Sequence, residues 1–304
     1  MGNLVAALED LCQMRNELRP ITTAVILGDT ERIEALLPES EIRLTSPPRK
    51  LSLDQKLQRL APVVDGEVAG FVVNRDGKLQ SIRKVSISLQ GDFKLSPLLS
   101  HPADRFAIIS SVAEALVFTL DPGGNRIQVF SDGGLVCRYF DGGWRADDLN
   151  AFHEVLIGAC EEKGYDLKSV EKLGRIAIQM SYMHLGALFA VVPRGSDIHD
   201  RYEDCLKDLG ISITPRPLLE LSDMELIKFA KEDGAVIANG SGFLRAFMAY
   251  LRPRSYGRLE TDPGAGARRI TAQRFSADLG CLTLVISEDG GITAFSDGKK
   301  LFKL

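Results

Sequence analysis

The chain has 304 residues, is 45% hydrophobic and carries a formal net charge of −4 with a pI near 5.7. That length holds one large or two ordinary domains, the composition is globular, and the acidic balance argues against a nucleic-acid coat. Five cysteines without a C-x-x-C pair, and four histidines without metal spacing, indicate neither a disulfide framework nor a zinc site.

Apolar residues at helical spacing predict a helix over 4–16, where Glu9 and Asp10 interrupt the apolar stretch before any leader-like cleavage site. A strand over 22–28 ends at Gly28-Asp29, a short helix follows over 31–37, and 46–50 is a proline-fixed loop. Strands are expected over 69–74, 79–88, 114–120 and 126–131, punctuated by Asp76-Gly77, Gly123-Gly124 and Asp132-Gly133-Gly134. An amphipathic helix over 147–163 links two halves, domains of 1–146 and 147–304. Next come a helix over 167–182, a strand over 186–192, helices near 198–208 and 222–231 flanking a connecting segment with Pro215 and Pro217, and a closing hairpin of 280–287 and 291–296. Strands and helices interspersed in this way imply an α/β fold, a mixed β-sheet flanked by helices on both faces. No apolar run reaches the roughly 18 residues of a membrane span. A cytoplasmic protein without a membrane partner is expected, with no output domain after Leu304.

The phrase Ile127-Gln128-Val129-Phe130-Ser131-Asp132-Gly133 returns as Ile292-Thr293-Ala294-Phe295-Ser296-Asp297-Gly298, an offset of 165 residues from Phe130 to Phe295. The same offset carries Asn74, Gly77 and Leu79 onto Asn239, Gly242 and Leu244, and Ala107 and Ser111 onto Ala272 and Ser276. A gapless register over about sixty residues reads as two tandem copies. In that register Asp233 falls on Val68, Arg268 and Arg269 fall on Ala103 and Asp104, and Arg105 stands opposite Ile270. The first copy is therefore degenerate, and its Asp65-Gly66 reads as a turn.

Three motifs crowd the last third: Asp233-Gly234-Ala235, Gly266-Ala267-Arg268-Arg269-Ile270-Thr271-Ala272, and Ile286-Ser287-Glu288-Asp289-Gly290-Gly291. Carboxylates suit Mg²⁺ or Mn²⁺ beside phosphate oxygens, and guanidiniums grip phosphates through paired hydrogen bonds. The Gly-rich approach 264–266 is neither a dinucleotide fingerprint nor a Walker A loop, and at a helix N-terminus its N–H groups form an anion cradle. Arg252, Arg254 and Arg258, with Tyr250 and Tyr256 among them, read as a solvated face or as further phosphate contacts.

Order and spacing resemble the diadenylate cyclase domain of DisA type, whose pattern is Asp-Gly-Ala, then Gly-Thr-Arg-His-Arg-x-Ala, then an apolar strand ending in Ser-Glu-Glu-x-Gly. Met180-Ser181 and the strand from Gly186 extend the likeness upstream, so that it covers about 150–304. Ala267, Arg269 and Ile270 depart from the pattern, and Ile270 has no side-chain donor. The resemblance implies two ATP molecules condensed to cyclic di-AMP across a head-to-head homo-oligomer. It assigns Asp233, Arg268 and Arg269 to catalysis, and Gly234, Ala235, Gly266, Thr271, Ser287 and Leu188 to nucleotide binding. Asp233 and Glu288 would hold Mn²⁺ or Mg²⁺. The alternative is a pseudo-cyclase that binds an adenine nucleotide as a sensor.

Overall fold

The computed structural model describes residues 2–13, 15–16, 19–20, 22–40, 52–86, 95–99, 103–120, 126–140, 142–146, 148–194, 211–253 and 266–304. The expected 46–50 loop, the Gly123-Gly124 turn, the end of the 79–88 strand and the helix near 198–208 lie outside these residues, as do His101, His199, Cys205, Arg254, Tyr256, Arg258, Gly264 and Ala265. The chain divides into two compact units, 1–149 and 150–304.

The N-terminal unit runs α1 (Gly2–Gln13), β1 (Arg15–Asn16), β2 (Arg19–Pro20), β3 (Thr23–Gly28), α2 (Thr30–Leu36), α3 (Leu53–Leu60), β4 (Ala69–Asn74), β5 (Leu79–Lys84), α4 (Ala103–Val112), β6 (Leu116–Leu120), β7 (Arg126–Ser131), β8 (Gly134–Phe140) and β9 (Gly143–Ala146). Its seven-stranded sheet has the order β5-β4-β3-β6-β7-β8-β9, in which only β3 and β4 are parallel. Every residue of β3 is buried, as a central strand covered on both faces requires. Leu4, Leu8 and Leu11 of α1 and Leu57 of α3 pack on Val25, Leu27, Phe71 and Val73.

The C-terminal unit follows α5 (Leu149–Lys163) with α6 (Leu167–Tyr182), β10 (Ala187–Val192), β11 (Ile211–Pro217), α7 (Asp223–Ala230), β12 (Ala235–Asn239), β13 (Phe243–Ala249), α8 (Ala267–Leu279), β14 (Leu282–Ile286), β15 (Ile292–Ser296) and β16 (Lys299–Lys303). The sheet order is β11-β13-β12-β10-β14-β15-β16, again with a single parallel pair, β10 and β12. Alternate residues Leu188, Ala190 and Val192 of β10 meet Ala272, Phe275 and Leu279 of α8, while α6 packs on β10, β14 and β15. Asp166 caps α6, and a Ser222–Glu225 capping box starts α7. The segment holding Pro215 and Pro217, expected to be a connector, is an edge strand with a register break between Ser212 and Arg216. Proline is tolerated there because one side of an edge strand needs no ladder donor.

Six consecutive strands thus recur in the same order and pairing sense. Two bulges recur too. Gln80 and Arg245 are the extra residues of β5 and β13, and Val136 and Leu301 those of β8 and β16, each pair 165 positions apart. The expected gapless register nevertheless fails in one segment. Ser110 Oγ accepts from Gly133 N as Ser276 Oγ accepts from Gly298 N, and Ala115 N donates to Ser110 O as Cys281 N donates to Ser276 O. These shared bonds set α4 and α8 one residue further apart than the strands β4 and β12, so that Arg105 corresponds to Thr271 and not to Ile270. Ser111 likewise does not correspond to Ser276.

Candidate active site

The C-terminal unit gathers its motifs at one end of the sheet because β10 and β12 run parallel. Their pairing of Phe189 with Val236, continued outward, sets Gly186 beside Asp233. On the other side the pairing of Ala187 with Ile286 sets Gly186 beside Ser287. Neighbouring strands lie about 4.8 Å apart, so Asp233, Gly186 and Ser287 form a row roughly 10 Å long.

Gly186 is the pivot of that row. A methyl group there would collide with Arg268 Nη1 and lie 3.2 Å from Glu288 Oε1. The missing side chain lets a guanidinium from α8 and a carboxylate from the β14–β15 turn converge over the start of β10. Arg268 and Arg269 belong to the first turn of α8, whose N-cap, Gly266, supplies no side-chain acceptor and whose first turn has no acidic residue. The positive helix end, its unpaired N–H groups and two guanidiniums all favour an anion. Arg269 Nε is buried without a hydrogen-bond partner among the described residues. Thr271 is half-buried on the same helix, and Ile270 is half-buried and apolar.

The turn carrying Ser287 and Glu288 is held from below. Gly290 N donates to Ser287 O at 2.9 Å, and Ser287 N donates to Gly291 O at 2.9 Å. The buried Ser181 hydroxyl donates to Gly290 O at 2.5 Å, and His184 Nδ1 lies 2.9 Å from Glu288 O. The end of α6 therefore fixes the turn through its backbone and leaves the exposed Glu288 side chain to solvent.

Asp233 stands on a second built feature. Between Ile237 opposite Ala246 and Ala235 opposite Ala249, β13 carries an extra residue that the N-terminal unit lacks. Met248 absorbs it at φ 55°, and Gly234, at φ 112°, leaves no room for a side chain against the Met248 and Ala249 backbone. The insertion brings Tyr250 alongside, and its hydroxyl donates to Asp233 Oδ2 at 2.6 Å. That bond and the nearby negative charge hold the phenol above its ordinary range. Because the raised value belongs to the protonated, donating form, the contact is present at neutral pH and is lost as pH rises through the phenol's titration. In an ultraviolet difference titration, Asp233→Asn is expected to return one tyrosine toward ordinary behaviour; an unchanged titration curve would contradict the contact.

Asp233, Gly234, Ala235, Arg268, Arg269, Gly266, Ser287 and Glu288 thus share one end of the sheet. Leu188 and Ala235 do not join them with their side chains, being 4% and 1% exposed in the core that includes Ala272 and Phe275. Sequence reasoning quoted Gly186 and Ser181 only as strand flanks and gave His184 no role. The Ser-x-x-His-x-Gly spacing after α6 was the available signal; the Met248 bulge had none. At the matching end of the N-terminal unit Val68 replaces Asp233. Asp65 Oδ1 there accepts from Glu67, Val68 and Ala69 N–H groups at 2.9, 2.8 and 3.3 Å, a turn carboxylate as expected.

Residues 177–300 match the family described as DAC, DisA bacterial checkpoint controller nucleotide-binding. Among solved structures, the chain is similar to a double mutant of DacA from Staphylococcus aureus, with 22% identity over 44% of this chain and 84% of that one and a TM-score of 0.35. A hypothetical membrane-spanning protein from Bacillus cereus is similar at 21% identity over 45% of this chain and 71% of its own, with a TM-score of 0.33. No curated protein matches. Among the described residues, no helix is long and apolar enough to cross a membrane.

Proposed function

We propose that the C-terminal unit, whose residues 177–300 match the DAC family, condenses two ATP molecules to cyclic di-AMP, with two such units facing each other across a homo-oligomer. The observation that carries the reading is the convergence of Arg268 and Glu288 over Gly186, in one row with Asp233 and Ser287.

Each chain's part in the reaction follows from its own residues. The first turn of α8, with Arg268 and Arg269, binds the triphosphate, and the Ser287 hydroxyl supplies one more donor. Gly234 and Ala235 offer backbone that a nucleotide approaches closely. Asp233, steadied by Tyr250, would take the proton of the attacking ribose 3′ hydroxyl. In each half-reaction the 3′ oxygen bonds to the partner nucleotide's α-phosphorus, the bond to the β-phosphate oxygen breaks, and pyrophosphate leaves. Two such steps close the ring, so two competent faces are required, and the N-terminal unit, with Val68 for Asp233, supplies none. That demands a second copy of the chain.

A divalent metal fits the donor set. Asp233 and Glu288 are exposed oxygen ligands on either side of Gly186. No cluster of three or more metal-binding side chains occurs among the described residues. One or two carboxylates completed by phosphate and water is the usual way Mg²⁺ is held, and Mn²⁺ accepts the same ligands. The ion would neutralise charge on the reacting phosphates.

A pairwise reaction has a kinetic consequence. Cyclic di-AMP formed per molecule of protein is expected to rise with protein concentration until the dimer is saturated; a rate per molecule independent of dilution in a demonstrably monomeric sample would contradict the face-to-face arrangement. Ile270, apolar where the family pattern has arginine, favours a second reading, a nucleotide-binding sensor on the same scaffold. Under it, ATP or cyclic di-AMP binds at this site without turnover.

A further inference from the structure

Helix α6 ends in a Schellman motif. Leu185 N donates to Met180 O at 3.0 Å and His184 N to Ser181 O at 3.3 Å, which puts His184 just past the cap, in the left-handed region at φ 54°. That position calls for glycine, or failing it asparagine, because a Cβ is crowded there. Histidine stands at it against the local preference. A backbone outlier of this kind persists where the surrounding structure holds it, and such outliers gather at functional sites.

The side chain of His184 grips the turn that carries Glu288. Glu288 O is a carbonyl and can only accept, so His184 Nδ1, 2.9 Å away, carries the hydrogen and donates it. Three residues earlier the buried Ser181 hydroxyl donates to Gly290 O at 2.5 Å. A methyl group on Gly290 would lie 3.4 Å from Ser181 O and 3.7 Å from His184 Cε1, so the turn sits directly on the end of α6. Two residues beyond His184 comes Gly186, over which Glu288 meets Arg268. One short segment thus holds the backbone of Glu288 and makes room for its side chain. The N-terminal unit lacks this arrangement together with the motif residues. Val25 opposite Phe71 corresponds to Phe189 opposite Val236, which sets Pro20 in the place of His184 and Thr22 in that of Gly186.

We infer that His184 is a positioning residue for the divalent metal: its bond to Glu288 O fixes where the Glu288 carboxylate meets the ion. The inference rests on the proposed cyclase reading, in which Glu288 is a metal ligand. A ligand whose backbone is pinned is organised before the ion arrives, and groups that orient a ligand in this way set metal affinity.

The test uses the full chain with α,β-methylene-ATP, which cannot be cleaved at the α-phosphate, and reads Mn²⁺ binding by electron paramagnetic resonance beside thermal unfolding. His184→Gly removes the donor and relaxes the backbone; it is expected to weaken Mn²⁺ binding by about tenfold or more, while Tm stays at or above that of the parent. His184→Asn is expected to bind within about twofold of the parent, since Asn Nδ2, like His Nδ1, is bonded to Cγ and asparagine accepts the left-handed region. A merely structural histidine would move Tm and metal affinity together. Parent-like Mn²⁺ binding in His184→Gly, or an equal loss in His184→Asn, would overturn the assignment. Glu288→Gln tests the reading beneath it. A loss of Mn²⁺ binding there with none in His184→Gly keeps Glu288 as a ligand and discards only the clasp, whereas no loss in Glu288→Gln removes the ligand and the inference with it.

Discussion

Gly186→Ala is expected to reduce cyclic di-AMP synthesis by about 100-fold or more while leaving the C-terminal unit folded. The added methyl meets the Arg268 guanidinium and the Glu288 side chain, not backbone. Both groups are flexible at that point and swing aside, so the cost in stability is small, within about 1 kcal/mol. The cost in chemistry is large, because a phosphate clamp displaced by an ångström forfeits transition-state stabilisation of roughly 2.7 kcal/mol, which is the expected factor in rate. Thermal unfolding and product formation measured on the same preparation separate the two effects. Parent-like synthesis would mean that the convergence over Gly186 is not the working arrangement.

The neighbouring glycine gives the opposite result. Gly234→Ala is expected to destabilise the unit itself by about 3 kcal/mol or more, since alanine would sit at φ 112° with its Cβ 2.5 Å from the Met248 carbonyl carbon. Backbone cannot yield as a guanidinium does, and the Met248 bulge on which Gly234 rests is itself left-handed. For a unit of this size the expected fall in Tm is about 10 °C. A parent-like Tm would show that the bulge relaxes easily and does not fix Asp233. The two glycines, one in the row and one beside it, thus separate chemistry from fold.

Much of this was legible in the chain. The strands at 69–74 and 186–192 and the helix over 167–182 announce themselves because buried central strands are near-continuous apolar runs and α6 is strongly amphipathic. The repeat survived because the strand order depends on those runs. What failed is what pattern does not encode. The one-residue shift of α4 against α8 leaves the helix face unchanged in character and shows only in the Ser110 and Ser276 hydrogen bonds. The strand at 211–217 was hidden by two prolines that an edge position excuses. At the site, Asp233, Arg268 and Glu288 were visible as chemistry. Gly186, Ser181 and Tyr250 were named only as flanks of a strand and as part of a charge cluster, because their roles depend on which strand lies beside which.

The direct measurement is incubation of the purified full chain with ATP and Mn²⁺, the products read by mass spectrometry, beside Asp233→Asn. Cyclic di-AMP and pyrophosphate are expected from the parent chain and neither from the variant. No cyclic dinucleotide from the parent under conditions where it self-associates would contradict the cyclase reading, and ATP binding without product would make the C-terminal unit a sensor.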